Sequence, residues 1–115
     1  MILELLASTV LWASTEILDP EIELRVSCDR VELDINASPK ATPVLVKFYV
    51  KDMRYKFIWS YRVPMKYDAQ GNILLEPTKY WIEEIRNNDS VTLEVENKQY
   101  TFNLKGSKKA LEQCD

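Results

Sequence analysis

Apolar and polar residues alternate in three pairs of adjacent segments after residue 20. Such alternation is typical of antiparallel strands with one buried face, so each pair predicts a hairpin. The first pair folds about Asp29-Arg30, the second about Asp52-Met53 and the third about Asn97-Lys98. Each turn places apolar residues opposite one another on a single face. The predicted partners are Cys28 with Val31, Val26 with Leu33, Leu24 with Ile35, Val50 with Tyr55, Phe48 with Phe57, Val46 with Trp59, Val44 with Tyr61, Val95 with Tyr100, Leu93 with Phe102 and Val91 with Leu104.

Two short helices and one short strand are predicted beside these hairpins. Pro77 opens a helix at about 78–87, in which Trp81, Ile82 and Ile85 form one apolar stripe. A C-terminal helix at about 107–114 follows, with Ser107 as its N-cap. Residues 73–76 add a short strand. The fold class is therefore mainly β, a small antiparallel sandwich or curled sheet built from three hairpins.

The first 18 residues predict either a helix or a degenerate export signal, followed by a single β-domain over 19–115. Small residues near position 14 resemble a signal-peptidase site, but Glu4 interrupts the apolar run and no Lys or Arg precedes it. The run is also too short and too acidic for a stable transmembrane span. The helical interpretation depends on apolar residues at helical spacing, namely Leu3, Leu6, Val10, Ala13 and Ile17.

The rarer residue types exclude most familiar enzyme chemistry. The 115 residues contain no histidine, two cysteines and two glycines. A Ser-His-Asp triad, any zinc site with His ligands and a four-cysteine zinc site cannot be built from one such chain. Glycine-rich phosphate loops are excluded as well. We therefore expect a non-enzymatic protein with no catalytic residues, no metal site and no cofactor.

Cys28 and Cys114 are predicted to form a disulfide. A terminal helix of about two turns buries little area, so a covalent link from Cys114 to a core strand would hold it down. The alternative is a buried thiol at Cys28 and an ordinary exposed one at Cys114. A disulfide would place the protein outside the reducing cytosol, in the periplasm or cell envelope.

Charge is divided unevenly along the chain, although the formal net charge is only −3. Residues 1–42 carry a net −5, residues 43–66 a net +5 and residues 67–115 a net −3. The second hairpin thus has a basic outer face, which could contact an acidic protein, an anionic surface or a glycan. Nucleic acid is not favoured, because the isoelectric point is near 5.1. The candidate binding residues are Lys47, Tyr49, Lys51, Arg54, Lys56 and Arg62.

The alternative interpretation of this basic face is an ordinary solvated surface. Acidic residues on neighbouring strands, such as Glu94 and Glu96, would then neutralise part of it.

The order of features also resembles a known family. The segments SCDRVELDI, YKFIWSYRV and VTLEVE precede the ending YTFNLKGSKKALEQC. That ending is similar to the close of small exported proteobacterial proteins, among them the type VI secretion-associated TagO/VasI-like family. The resemblance implies a disulfide-closed periplasmic β-domain with no known enzymatic role. It supports Cys28 and Cys114 as the bridge, and it assigns structural positions to Phe102, Leu104, Gly106, Ala110 and Leu111.

Three functional hypotheses follow from the sequence. The first is a cell-envelope interaction domain of bacterial or phage origin, acting by protein–protein contact as a secretion accessory, an inhibitor or an exclusion factor. The second is a cytoplasmic phage or virion protein with free thiols, whose N-terminal helix docks on a partner or self-associates. The third is a glycan binder, which requires an exposed aromatic platform at Trp59 and Tyr61.

Overall fold

The computed structural model describes residues 9–38, 44–51 and 57–114 of the chain. Eight strands and two short helices lie in this part of the protein. The strands are β1 (Trp12–Thr15), β2 (Glu23–Ser27), β3 (Arg30–Asp34), β4 (Val44–Lys51), β5 (Phe57–Tyr67), β6 (Ile73–Leu74), β7 (Ser90–Val95) and β8 (Lys98–Asn103). The helices are α1 (Thr78–Asn87) and α2 (Ser107–Ala110).

All eight strands belong to one antiparallel sheet, which confirms the mainly β prediction. Their order is β1-β2-β3-β6-β5-β4-β7-β8. The sheet curls until its two outer strands approach each other, and Glu16 and Phe102 form a bridge between them. The protein is therefore a nearly closed curled sheet, and of the two predicted arrangements the sandwich is not formed.

The inner face of the curled sheet and one side of α1 form the hydrophobic core. Leu24, Leu33, Leu93 and Phe102 are completely inaccessible to solvent. Helix α1 has the predicted bounds, and it buries the predicted stripe of Trp81, Ile82 and Ile85. It packs against β3 and α2. Burial of large aliphatic and aromatic side chains contributes roughly 1.5–3 kcal/mol each.

The three predicted strand pairs form, but their registers differ from the prediction. The first pairs Val26 with Val31 and turns at Cys28-Asp29, so the predicted turn at Asp29-Arg30 is wrong. The third pairs Leu93 with Tyr100 and turns at Glu96-Asn97. Those two residues have φ angles of 50° and 70°, the left-handed conformation that a tight type I′ hairpin requires.

The second hairpin is displaced further from the predicted register. Val46 pairs with Val63, where the alternation predicted Trp59, and the register shifts at Val50/Lys51. Its predicted turn at Asp52-Met53 lies outside the described residues. The first and third registers, and the second as far as Val50, are displaced by an even number of residues, and alternation has a period of two, so these segments keep their predicted faces. At Lys51, which pairs with Phe57, the displacement is odd.

The predicted N-terminal helix is wrong over residues 12–15, which form strand β1 and pair with β2. Ala13 and Ile17 of the predicted apolar stripe are exposed at outward positions, and Val10, which precedes the strand, is also exposed. The inward positions are Trp12, Ser14 and Glu16. Residues 1–8 lie outside the described residues, and β1 is part of the sheet that was expected to begin after residue 18.

The C-terminal helix is shorter than predicted, because only Ser107–Ala110 are helical. Gly106 precedes the helix in the left-handed conformation, with φ at 84°. Ser107 is not the N-cap. Its buried hydroxyl donates a 2.7 Å hydrogen bond to the carbonyl of Ile85, which joins α2 to α1.

Candidate functional site

Side chains of β1 close the gap between the two outer strands. The indole Nε1 of Trp12 donates to the carbonyl of Lys105 at 3.2 Å. The hydroxyl of Ser14 donates to the carbonyl of Asn103 at 2.8 Å. Glu16 Oε2 accepts the backbone N–H of Thr101 at 2.9 Å. Alternate residues of β1 and of the position after it thus bond to alternate residues of β8 and of the segment after it, and we call this row of contacts the seam.

The seam leads into a loop whose conformation is fixed by hydrogen bonds. We define the Glu16 loop as residues 16–22. Glu16 Oε1 accepts the N–H groups of Leu18 at 2.8 Å and Asp19 at 2.9 Å. Asp19 accepts the N–H of Glu21 through Oδ1 and that of Ile22 through its carbonyl.

The two remaining N–H groups of this loop are also bonded. Glu16 N–H donates to the carbonyl of Ile22, and Ile17 N–H donates to the carbonyl of Thr101. Pro20 has no backbone N–H and therefore needs no acceptor. Every backbone donor of the Glu16 loop therefore has a protein acceptor, as is expected of a rigid segment.

This rigid loop holds two adjacent apolar side chains in solvent. Ile17 is 60% exposed and Leu18 is 88% exposed. Single exposed apolar residues are common on protein surfaces, but here two are consecutive and their backbone is bonded throughout. A partner that covered them would gain apolar burial without the cost of ordering the loop. The Glu16 loop is therefore the candidate functional site.

A cleft of about 280 Å³ lies beside Leu18. Its apolar lining comes from Leu18, Ile22, Ile35 and Tyr100. Its charged lining comes from Glu16, Asp19, Glu21 and Lys98. Three carboxylates thus face one ammonium group, which leaves a net charge of −2 around the cleft.

The pKa of Tyr100 reflects this environment. Burial of the phenol raises its pKa above the ordinary value, and the charges of Glu96, Asp19 and Glu16 raise it further. Negative charge disfavours phenolate because like charges repel. The excess of carboxylates that line the cleft favours cations over anions there.

The structure brings together two residues of the predicted basic face. Lys47 lies 3.9 Å from a carboxylate oxygen of Glu94, and its ammonium group lies 5.7 Å from the centre of the Tyr49 ring. The Tyr49 hydroxyl donates to Glu94 at 3.2 Å. Glu94 therefore offsets positive charge on this face, as the alternative interpretation expected.

The other predicted residues of this face are less fully described. Arg54 and Lys56 lie outside the described residues, as do the side chains of Lys51 and Arg62. On the backbone, Lys51 ends β4 and Arg62 lies in β5 opposite Lys47. The aromatic platform of the glycan hypothesis, at Trp59 and Tyr61, also depends on side chains outside the described part.

The predicted disulfide between Cys28 and Cys114 is present, with a Cα–Cα distance of 5.1 Å. It links the turn between β2 and β3 to the segment that follows α2. Cys28 lies in this exposed turn, so its expected place on an inward strand face is wrong, whereas Cys114 is buried. Arg86 donates to the carbonyl of Cys114 at 2.8 Å and holds the same segment.

The carboxylates of the first hairpin are bound by arginines. Arg25 contacts Glu23, Glu32 and Asp34 at 2.9–3.3 Å, and Arg30 contacts Glu32 at 3.0 Å. Burial alone would lower the pKa of the Arg25 guanidinium, but these carboxylates outweigh it and raise the pKa above its ordinary value. This network neutralises charge across β2 and β3, so its role is structural.

A larger cleft of about 380 Å³ lies between the end of α1 and the start of α2. Its inner polar groups are bonded within the protein. Ser107 donates to Ile85, and Asn87 and Asn88 donate to carbonyl groups of their own helix. The charged residues at its rim are Arg86, Asp89, Lys105 and Lys108. These contacts account for the cleft as the packing junction of the two helices.

Neither a metal-binding cluster nor a membrane-crossing helix is found among the described residues. No group of three or more metal-ligating side chains is positioned to hold an ion. Neither α1 nor α2 has the length and apolarity that a membrane crossing needs.

Comparison with protein-family models, with curated proteins and with solved structures finds no match to this chain. The resemblance to the TagO/VasI-like family therefore stays a prediction. The Glu16 loop was not found from the sequence, although one signal was available. Asp19-Pro20 is a dipeptide typical of turns, and it directly follows the apolar run. It therefore argues against a continuous helix through this position.

Proposed function

We propose that this protein is a non-enzymatic interaction domain of the cell envelope that acts by protein–protein contact. A secretion accessory and a phage-encoded inhibitor or exclusion factor are the two roles that fit such a domain. The observation that carries the proposal is the Glu16 loop, in which Leu18 is 88% exposed on a fully hydrogen-bonded backbone.

The compartment is inferred from the Cys28–Cys114 disulfide. Disulfides persist in the periplasm and other oxidising compartments and are rare in the bacterial cytosol. The competing hypothesis of a cytoplasmic protein relied on a helix over the first 18 residues, and Trp12–Thr15 of that segment form a strand.

The contact surface is assigned to the Glu16 loop ahead of the basic face of the second hairpin. Lys47 and Tyr49 already contact Glu94, so a partner would have to compete with an internal acid. The exposed side chains of Ile17 and Leu18 are apolar, so a partner that covers them does not have to displace an internal ion pair.

Site-specific photocrosslinking in the native host tests the contact. A photoreactive amino acid at position 18 should form an adduct with another protein. The same amino acid at position 45, where Leu45 is 51% exposed on β4, is the matched control and should form none.

Cell fractionation with thiol alkylation under non-reducing conditions tests the compartment. The proposal requires protein in the envelope fraction with neither cysteine alkylated. Protein in the cytosol with two alkylated thiols would contradict it.

A further inference from the structure

The exposed apolar pair of the Glu16 loop and the acidic cleft beside it are one continuous surface, because Leu18 belongs to both. We propose that this surface binds a basic amphipathic segment of a partner protein. Aliphatic side chains of that segment cover Ile17 and Leu18, and a Lys or Arg side chain enters the cleft. This inference rests on the proposed function and names the chemistry of the partner.

The apolar half of the surface supplies the affinity. Leu18 is held in place by the hydrogen bonds of its own N–H and of its neighbour to Glu16, while its side chain projects into solvent. Fixed, exposed side chains of this kind are typical anchors of protein interfaces, because they bury apolar area at little entropic cost.

The charged half of the surface selects the partner. Asp19 and Glu21 are exposed, and they face the cleft together with the buried Glu16. Tyr100 and Ile35 line the same cleft, so the aliphatic stem of a Lys or Arg side chain has an apolar wall to pack against. Its terminal cation then lies near carboxylates and an aromatic ring, both of which attract it.

Other occupants fit this surface less well. Anionic lipid would be repelled by the exposed carboxylates of Asp19 and Glu21. Two copies of the chain that met through the same loop would place like charges against each other, because a two-fold interface juxtaposes identical patches. A basic segment of a different protein avoids both conflicts.

Selection from a phage-displayed library of random twelve-residue peptides tests the proposal. The full-length oxidised protein is immobilised, and the enriched peptides are sequenced. We expect peptides that combine Lys or Arg with aliphatic residues, and we expect Leu18→Ser to abolish their enrichment. We expect this variant to fold, because the substituted side chain is exposed. Leu45→Ser is the matched control and should leave the enrichment unchanged.

The affinity of a synthetic copy of the most enriched peptide then tests the apolar half and the charged half of the surface separately. Its dissociation constant should rise about tenfold or more with Leu18→Ser. The double variant Asp19→Asn/Glu21→Gln should also weaken binding severalfold and remove its salt dependence, because it deletes exposed charges but keeps the side-chain shapes. No enrichment, acidic or uncharged consensus peptides, or equal enrichment on Leu18→Ser would each overturn the proposal.

Failure of this inference can be distinguished from failure of the proposed function. Peptides that bind the Leu18→Ser variant as well as the original chain would refute the assigned surface. The compartment would still be decided by alkylation and the native contact by crosslinking at position 18.

Discussion

Glu16 and Thr101 are joined by a hydrogen bond of 2.9 Å between the Oε2 atom of the carboxylate and a backbone N–H, although 85 positions separate the two residues. The same carboxylate fixes the Glu16 loop through its other oxygen. One buried side chain thus joins the outer strands of the sheet and shapes the proposed binding surface.

Replacing Glu16 should destabilise the protein strongly. Glu16→Ala leaves three backbone N–H groups without their acceptor, and we expect a loss of about 3–5 kcal/mol in the free energy of unfolding. Glu16→Gln should lose less, about 1–3 kcal/mol, because either orientation of its amide sets an NH₂ group against a backbone N–H. Urea denaturation under oxidising conditions measures both.

Glu112→Ala is the control for this comparison. Glu112 is exposed, so its substitution should change the free energy of unfolding by less than about 0.5 kcal/mol. If Glu16→Ala were equally mild, the hydrogen bonds of the loop would not be important for stability.

Removing the disulfide should lower stability by about 4–5 kcal/mol in the chain-entropy model. The bond between Cys28 and Cys114 closes a loop with a sequence separation of 86, so it restricts most of the unfolded chain. The double variant Cys28→Ser/Cys114→Ser should match the original chain measured in reductant, again by urea denaturation. A difference below about 1 kcal/mol between oxidised and reduced protein would contradict this account.

Ser107→Ala should destabilise the junction of the two helices by about 1–2 kcal/mol. The variant leaves the buried carbonyl of Ile85 without its 2.7 Å hydrogen bond, and it makes no other large change. Lys108→Ala, at the next and exposed position, is the matched control. Thermal unfolding of both variants checks the prediction, which fails if the two have the same midpoint.

Asp68 should make stability depend on pH in the acid range. Burial raises the pKa of its carboxyl, but hydrogen bonds from the backbone N–H groups of Asn72 and Gln70, from the Asn72 side chain and from Arg30 outweigh burial, so the pKa lies below its ordinary value of 3.8. A carboxyl whose pKa is lowered by folding stabilises the protein when the pH is above the pKa that the group has in the unfolded chain. That stabilising contribution is lost as the pH falls through the lower pKa that the group has in the folded protein.

Asp68→Asn tests this dependence. Its stability should fall less steeply than that of the original chain below pH 3.8, as followed by urea midpoints across the acid range. Glu112→Gln, at an exposed position, should leave the slope unchanged. Identical slopes for Asp68→Asn and the original chain would contradict the assigned role of Asp68.

The sequence was a good guide wherever structure depends on neighbouring residues. Helix α1 has its predicted bounds, because Pro77 marks its start and the Trp81, Ile82 and Ile85 stripe is local. The buried faces of the strands in the first and third hairpins were also predicted. Their registers were not, since alternation repeats every two residues and the turns, such as the left-handed Glu96-Asn97 pair, decide the alignment.

The candidate site could not be predicted in the same way. Val10, Ala13 and Ile17 recur at helical spacing, yet in the structure Val10 precedes β1, and Ala13 and Ile17 are outward positions of β1 and the Glu16 loop. What forces the strand is pairing with β2 together with contacts to residues about 85–93 positions away, which no local pattern contains.

The seam also constrains the order in which the protein can fold. Its three contacts and the disulfide join residues 12–28 to residues 101–114, so neither can form until the ribosome has made both regions. Contacts so distant in sequence slow folding, because long loops must close before the contacts stabilise them. A newly made chain can pair β2 with β3 and β4 with β5 early, but it can close the sheet and form the disulfide only after residue 114 has been synthesised.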